Sequence, residues 1–175
     1  GFNFENEILS GEKAQAIRKA ISYGINIEDI VENIYYGHVS QVDLPIHPQA
    51  NFLTRGIDSH TYSPDLAKSY LKRAGFEDKE GNGILEEEYS LEMKEAEWAN
   101  LLTRLEESDF DIVQVGLSMS VIPDIGHLFH SEGSNNFINY RDETMDSLIA
   151  NYESQDFPSE ENNELQKYIA QELPY

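Results

Sequence analysis

The chain has 175 residues, with 12 Lys and Arg against 33 Asp and Glu, a net charge of −21. That length makes one domain or one lobe, and that charge excludes nucleic acid and anionic membrane surfaces as natural partners, because both need clustered cations. Cysteine is absent, which excludes disulfides and thiolate metal sites, and no apolar run reaches the ~20 residues that span a bilayer.

Phe2–Ile8 reads as a short strand entering a helix, with Ser10 as a possible cap. Ala14, Ile17, Ile21 and Gly24 lie at helical spacing and predict an amphipathic helix Glu12–Tyr23 closed by Gly24. Asn26 can then cap a second helix, with Asp29 three residues on and Ile25 and Ile30 at the staple positions. This helix, about Ile27–Tyr35, is expected to bury Ile27, Ile30, Val31 and Ile34 and to stop at Gly37. Gln41–Thr61 carries Pro45, Pro48 and Gly56 with little periodicity and reads as a long surface loop.

Ser63 caps the next helix, Pro64–Ala74, with Pro64 at its first position. Ala67, Tyr70, Leu71 and Ala74 form its apolar face. Gly75 stops it, with Phe76 folding back on Leu71. Tyr89–Lys94 alternates weakly, as a strand does. Trp98, Leu101, Leu102 and Leu105 place one stripe on a helix Trp98–Glu107. Phe110–Leu117, with Ile112, Val113 and Val115, is the best strand of the chain and is expected near the centre of a sheet. Ser118–Tyr140 is irregular. Met145, Leu148, Ile149 and Tyr152 mark one further helix, and Leu165, Tyr168 and Ile169 mark a last one before Pro174. The alternation predicts an α/β fold, a central sheet with flanking helices.

The wording of these segments resembles one family. Arg18-Lys19-Ala20-Ile21-Ser22-Tyr23-Gly24-Ile25-Asn26, then Ile30-Val31-Glu32-Asn33 and Tyr36-Gly37, is similar to the extracytoplasmic solute-binding proteins of peptide-type ABC importers, which take up oligopeptides, dipeptides or nickel. Tyr62-Ser63-Pro64-Asp65, Ala74-Gly75-Phe76, Gly81-Asn82-Gly83-Ile84-Leu85-Glu86, Glu97-Trp98, Phe110-Asp111-Ile112 and Asn139-Tyr140 follow in the family's order. Met145-Asp146-Ser147-Leu148-Ile149 and Leu173-Pro174-Tyr175 complete the series. The resemblance implies a periplasmic-binding-protein-like lobe, residues 1–175 forming most of the second of two lobes. It also implies an internal deletion or omission near residues 91–95. Tyr89-Ser90-Leu91-Glu92 resembles the start of one family strand, and Met93-Lys94-Glu95-Ala96-Glu97-Trp98 the end of a later one.

By the same resemblance the chain is not an enzyme and needs no cofactor. It is a substrate-binding component outside the cytoplasmic membrane, whose partners are a peptide or similar solute, the missing first lobe and an ABC permease. Family members are often anchored by a lipid on an N-terminal cysteine, which would lie upstream. The alternative reading of the composition is an acidic interaction domain that binds a basic protein.

Three clusters invite chemistry. Asp78-Lys79-Glu80-Gly81-Asn82-Gly83 resembles the first half of a calcium loop, but Tyr89 stands at the twelfth position where a bidentate Glu belongs. The segment Asp78–Glu88 is therefore expected to be an acidic turn. Asp124, His127 and His130 share a three-residue spacing that would suit zinc or nickel on a helix. Pro123, Gly126 and the lack of a fourth ligand favour ordinary hydrogen-bonding histidines, and no metal ligand is assigned. Ser131 and Ser134 lie near His130 and Glu132 without the strand–turn–helix context of a serine nucleophile.

Ligands of open α/β sheets bind beyond the carboxyl ends of strands, so the exit of Phe110–Leu117 is the candidate binding edge. The resemblance implies ligand contacts at Trp98, Gly116, Leu117, Ser118, Met119 and Ser120. Leu117 stands where the family carries an aromatic, and Ser120 where several peptide binders carry an Asp for the ligand's amino group. Trp98 has two readings: it faces the ligand, or it packs with Leu101 and Leu102.

Overall fold

The computed structural model describes residues 1–7, 9, 11–42, 61–83, 94–116, 124–154 and 162–172. The first helix, α1 (Gly11–Gly24), buries Ala14, Ala16, Ile17 and Ala20, and with them Arg18. After a break, α2 (Ile27–Asp29) starts on Asn26, whose side chain accepts the Asp29 N–H at 3.1 Å. It runs on as one π turn, Ile30–Ile34, in which Tyr35 N–H reaches Ile30 O. The expected burial of its stripe does not occur: no residue of α2 or the π turn is buried, and Ile34 is 64% exposed. Periodicity defines the apolar face of a helix but supplies nothing to cover it.

Helix α3 (Pro64–Arg73) behaves as its sequence predicts. Ser63 Oγ accepts the Leu66 N–H, and Pro64 opens the first turn. Gly75, at φ +93°, closes the helix in the left-handed region. Phe76 N–H bonds Leu71 O and Gly75 N–H bonds Lys72 O, both at 3.0 Å, which is the paired bonding of a Schellman stop. The helix lies along α1. Ser63 N–H bonds Tyr23 O, Tyr70 stacks on Tyr23 at 5.6 Å, and Ala74 joins Phe2, Leu9, Ala16 and Ile17 in one core cluster.

Helix α4 (Trp98–Glu106) buries only Leu105 of its expected stripe; Trp98 is 59% exposed. Its end is held by Arg104, whose Nε lies 2.9 Å from Asp109 Oδ2. A single helical turn, α5 (Gly126–Phe129), stands inside the stretch expected to be irregular. Helices α6 (Glu143–Glu153) and α7 (Asn162–Glu172) match the last two apolar patterns. They form a second core in which Met145, Ile149 and Ile169 are fully buried beside Leu165, Ile125 and Phe129. Asp142 caps α6 by accepting the Met145 N–H at 2.8 Å, and it also accepts the Tyr168 hydroxyl from α7.

The two cores meet at Phe4, which packs against both. Its ring stands edge-on to Tyr140 at 4.9 Å, and the Arg18 guanidinium lies over it at 4.6 Å. Arg18 is only 3% exposed. It donates from Nη1 to Leu9 O at 2.7 Å and from Nη2 to Glu172 O at 3.0 Å, so α1 is tied to the end of α7. Burial lowers its proton affinity, and the charge of Glu172 opposes that.

The strands are where expectation and structure part. Among the described residues no strand forms, and one antiparallel bridge joins Phe2 to Ile112. Phe2–Ile8 is not a strand beyond Phe2: the chain turns at once, with Asn6 N–H bonding Asn3 O and Leu9 N–H bonding Asn6 O. Phe110–Gly116 is extended but not central. Asn3 N–H bonds Asp111 O and Val113 N–H bonds Gly1 O, and Ile112 is 40% exposed. A central strand needs a neighbour on each side and cover on each face. Here only Gly1–Asn3 lies beside it among the described residues. Most of Tyr89–Lys94, Leu117 and most of the Gln41–Thr61 loop lie outside the described residues.

Replacing Arg18 by Met is expected to lower stability by about 2 kcal/mol, because the buried carbonyl of Leu9 and the half-buried one of Glu172 lose their donors. Urea unfolding of the two proteins measures this directly. A difference below about 0.5 kcal/mol, the scale of an ordinary surface substitution, would remove Arg18 from its place as the tie between the cores.

Candidate functional site

The route to the candidate edge is fixed by side-chain amides. Asn3 is buried, and its Nδ2 donates to Ser108 O at 3.1 Å and Phe110 O at 2.9 Å. Asn139, in the left-handed region at φ 55°, donates to Ser108 Oγ at 2.9 Å and Asn3 Oδ1 at 3.3 Å. This network joins the end of α4, the start of Phe110–Gly116 and the segment before α6. It sets the direction in which the extended run leaves the core.

The described part of that run reaches Gly116, which is exposed and has open space, among the described residues, where a side chain would begin. Trp98, at the start of α4, is exposed as well. The core-packing reading of Trp98 therefore fails: Leu101 is half-buried, Leu102 is 37% exposed, and the indole stays at the surface. The other residues of the candidate edge, Leu117, Ser118, Met119 and Ser120, lie outside the described residues.

The acidic loop behaves as a turn over the part that is described. Asp78 Oδ1 accepts the Asn82 N–H at 3.0 Å and Oδ2 accepts the Gly83 N–H at 2.8 Å. Both carboxylate oxygens are thus turned onto the loop's own backbone. Gly81 and Gly83 take φ of +68° and +85°, which only glycine adopts readily. The remaining residues, 84–88, lie outside the described residues.

The histidines turn to different partners. His127 Nε2 lies 3.0 Å from Asp124 Oδ2, and its Nδ1 lies 2.8 Å from Ser134 Oγ. His130 Nδ1 accepts the Glu132 N–H at 3.1 Å and lies 3.9 Å from Asp146 Oδ1. Among the described residues no group of three His, Asp or Glu side chains converges as a metal would need. Spacing placed Asp124, His127 and His130 together, but Ser134 and Asp146 come from seven and more residues away, which a helical register does not show.

Sequence reasoning also missed a cavity of about 640 Å³ between the start of α1, the end of α7 and residues 139–142. Phe4, Glu12, Arg18, Tyr140, Arg141 and Glu172 line it. It sits away from the candidate edge. Asn3 pairs with Asp111 and Gly1 with Val113, so the chain leaving Asn3 runs opposite to the chain approaching Gly116. Burial, helped by Asp142, pushes the Tyr140 phenol up and keeps it neutral.

A scan against protein-family models matches residues 1–115 to the middle part of the bacterial extracellular solute-binding proteins, family 5. The chain belongs to that family. Over its whole length it is 24% identical to the oligopeptide-binding protein AppA of Bacillus subtilis, of which it covers 39%. A stretch of 71 residues is 30% identical to the nickel-binding periplasmic protein of Escherichia coli, covering 41% of this chain and 14% of that protein. In solved structures, the fold superposes on Bacillus subtilis AppA in complex with a nonapeptide, with a TM-score of 0.84, 22% identity, and 100% of this chain on 42% of that one. NikZ of Campylobacter jejuni in complex with Ni(L-His) gives 0.67, 20% identity, and 99% on 42%. The chain thus spans about two-fifths of the length of the full-chain relatives. Their folds are those of periplasmic binding proteins, so the expected lobe architecture holds at that level, while the sheet itself is not seen among the described residues.

The Asp146 carboxyl is held below its ordinary value. Burial pushes the Asp146 carboxyl up, but the Ser131 backbone and side-chain hydrogen bonds and the charge of His130 outweigh it and leave it below its ordinary value. A depressed carboxylate adds stability above its unfolded value and loses it as pH falls through its folded value. The stability gap between the parent and Asp146→Asn is therefore expected to be full at neutral pH and to shrink below the ordinary value of 3.8. Equilibrium unfolding of both proteins across that range checks the sign, and a gap that widens on acidification contradicts it.

Proposed function

We propose that this chain is most of one lobe of the substrate-binding component of an ABC importer. It captures an oligopeptide or similar solute reversibly, outside the cytoplasmic membrane, for delivery to a permease. The observation that carries this reading is the family match over residues 1–115. Its relative AppA is named for oligopeptide binding and is solved with a nonapeptide, which supports a peptide over a metal complex as the solute.

Capture in such a protein is non-covalent. Two lobes close about a hinge and desolvate the ligand between them. An exposed indole at Trp98 suits that task, because an aromatic supplies large contact area at little conformational cost. Gly116 lets a ligand backbone approach closely, since among the described residues nothing lies within 4 Å of the side-chain position it leaves empty. We place Leu117, Ser118, Met119 and Ser120 on the same edge. A lobe without its facing lobe desolvates only one side of the ligand, so this chain alone binds weakly or not at all. A lipid anchor upstream would hold the assembled protein at the outer face of the membrane.

The proposed architecture includes an internal deletion or omission near residues 91–95. The alignment to AppA runs over 217 positions against 175 residues in this chain, which supports missing residues within it.

Leu117 and Ser120 offer no carboxylate to a peptide's amino terminus. A charge-assisted hydrogen bond removed with its ionic partner costs on the order of 1.5–3 kcal/mol. In a protein that joins this chain to a first lobe, free and amino-acetylated peptides are expected to bind within about tenfold of each other, a gap of ~1.4 kcal/mol. Trp98→Ala should weaken both by a similar factor or more. Calorimetric titration of both peptides against the parent, Trp98→Ala and Ser120→Asp tests this. No peptide binding, or full affinity without Trp98, removes the reading.

A further inference from the structure

Of the stripe that α2 was expected to bury, Ile27, Ile30 and Val31 are half-buried and Ile34 is in water, and exposed apolar residues continue past it. Ile34 is 64% exposed and Tyr36 78%, with Ile25, Tyr35, Val39 and Val42 exposed around them. Single exposed apolar side chains are ordinary, but a run of them marks an interaction surface. Two backbone features sit within the run. Ile30–Ile34 winds as a π turn, a form that recurs at functional sites. Tyr36 takes φ 52°, in the left-handed region where a bulky residue is strained. Neither feature is explained by core packing, since nothing in α2 or the π turn is buried.

The charges on the same segment are of one sign. Glu28, Asp29 and Glu32 are exposed, and no Lys or Arg occurs between Gly24 and Val42. An apolar face with anionic groups along it complements an apolar face bearing cations.

We propose that Ile25–Val42 is a docking surface for a cationic amphipathic segment of a protein partner. Such a segment lays its apolar side on Ile34, Tyr36 and their neighbours and sets its Lys and Arg against Glu28, Asp29 and Glu32. A second copy of this chain is a worse occupant, because it brings the same acids and a net charge of −21 to the contact. An anionic lipid surface is worse for the same reason. The surface shares no residue with the proposed solute edge at Trp98 and Gly116 to Ser120.

The test uses the whole chain and three labelled synthetic helices of about 18 residues, a length at which amphipathic helices form. One is built of Leu and Lys, one of Leu and Glu, and one of Gln and Lys without an apolar face. Fluorescence anisotropy should show saturable binding of the Leu/Lys helix alone, weakening as salt rises from about 50 to about 500 mM. Ile34→Ser with Tyr36→Asn keeps a residue that tolerates the left-handed region and should weaken binding by about tenfold or more. Glu28→Gln with Glu32→Gln should weaken it severalfold and flatten the salt dependence. Trp98→Ala should leave it unchanged. Circular dichroism confirms that each variant is folded.

Equal binding of the Gln/Lys helix would reduce the effect to bulk charge and overturn the proposal. So would undiminished binding by the Ile34→Ser, Tyr36→Asn protein, or loss on Trp98→Ala alone, which would put the helix on the solute edge. Light scattering that shows a dimer of the parent and a monomer of the Ile34→Ser, Tyr36→Asn protein would assign the surface to a second copy instead, and that too overturns it.

Discussion

The structure depends on one buried cation. Arg18 lies under the surface between two apolar cores, with its guanidinium face on Phe4 and its Nη atoms spent on Leu9 O and Glu172 O. A guanidinium taken out of water loses a large solvation energy unless its donors are satisfied. Its Nε has no partner among the described residues, so the ring of Phe4 and the two carbonyls carry the compensation. That requirement constrains the positions of three elements at once: the turn at Leu9, α1 and the last turn of α7. Hydrophobic packing alone is non-directional and would let the two cores slide past each other; the forked donor holds them in one register.

The direction of the candidate edge follows from that junction. Phe4 is held by Arg18 and Tyr140, which sets the residue before it, Asn3. Asn3 then fixes Ser108 and Phe110 through its amide, and Asn139 closes the network from the other side. A chain of satisfied polar contacts therefore runs from the core to the start of Phe110–Gly116. Buried amides are well suited to this, because a misplacement leaves donors unpaired and is costly. The exposed part of the run that reaches Gly116 inherits its placement from contacts made near Asn3.

How much of this was legible in the sequence depended on how local the cause was. The stop of α3 was legible because Ser63, Pro64, Gly75 and Phe76 act within a few residues of one another. The apolar faces of α6 and α7 were legible because a stripe of three or four residues at helical spacing has few other uses. The place of Phe110–Leu117 was not legible: a run rich in Ile and Val says that a strand prefers cover, while the cover comes from residues distant in sequence. The same gap explains α2 and α4, where the stripes are present but Ile34 and Trp98 face water. Of the candidate site, Trp98 and Gly116 came from resemblance to a family motif, and periodicity by itself favoured neither. The Asn3–Ser108–Asn139 network carried no pattern at all, since single polar residues far apart in the chain meet only in the fold.

The exposed apolar residues fall at more than one place on the surface. Trp98 is exposed at the start of α4, with Leu102 exposed on the same helix. The Ile25–Val42 run is extended, strained at Tyr36 and accompanied by acids without a single Lys or Arg. A surface built for one partner gains from charge of one sign, because it rejects like-charged proteins before contact. The strongly acidic composition works in the same direction, keeping copies of the chain apart so that an apolar surface can stay exposed without self-association. The net charge thus has a physical consequence beyond solubility: it narrows the partners that the uncovered faces can accept.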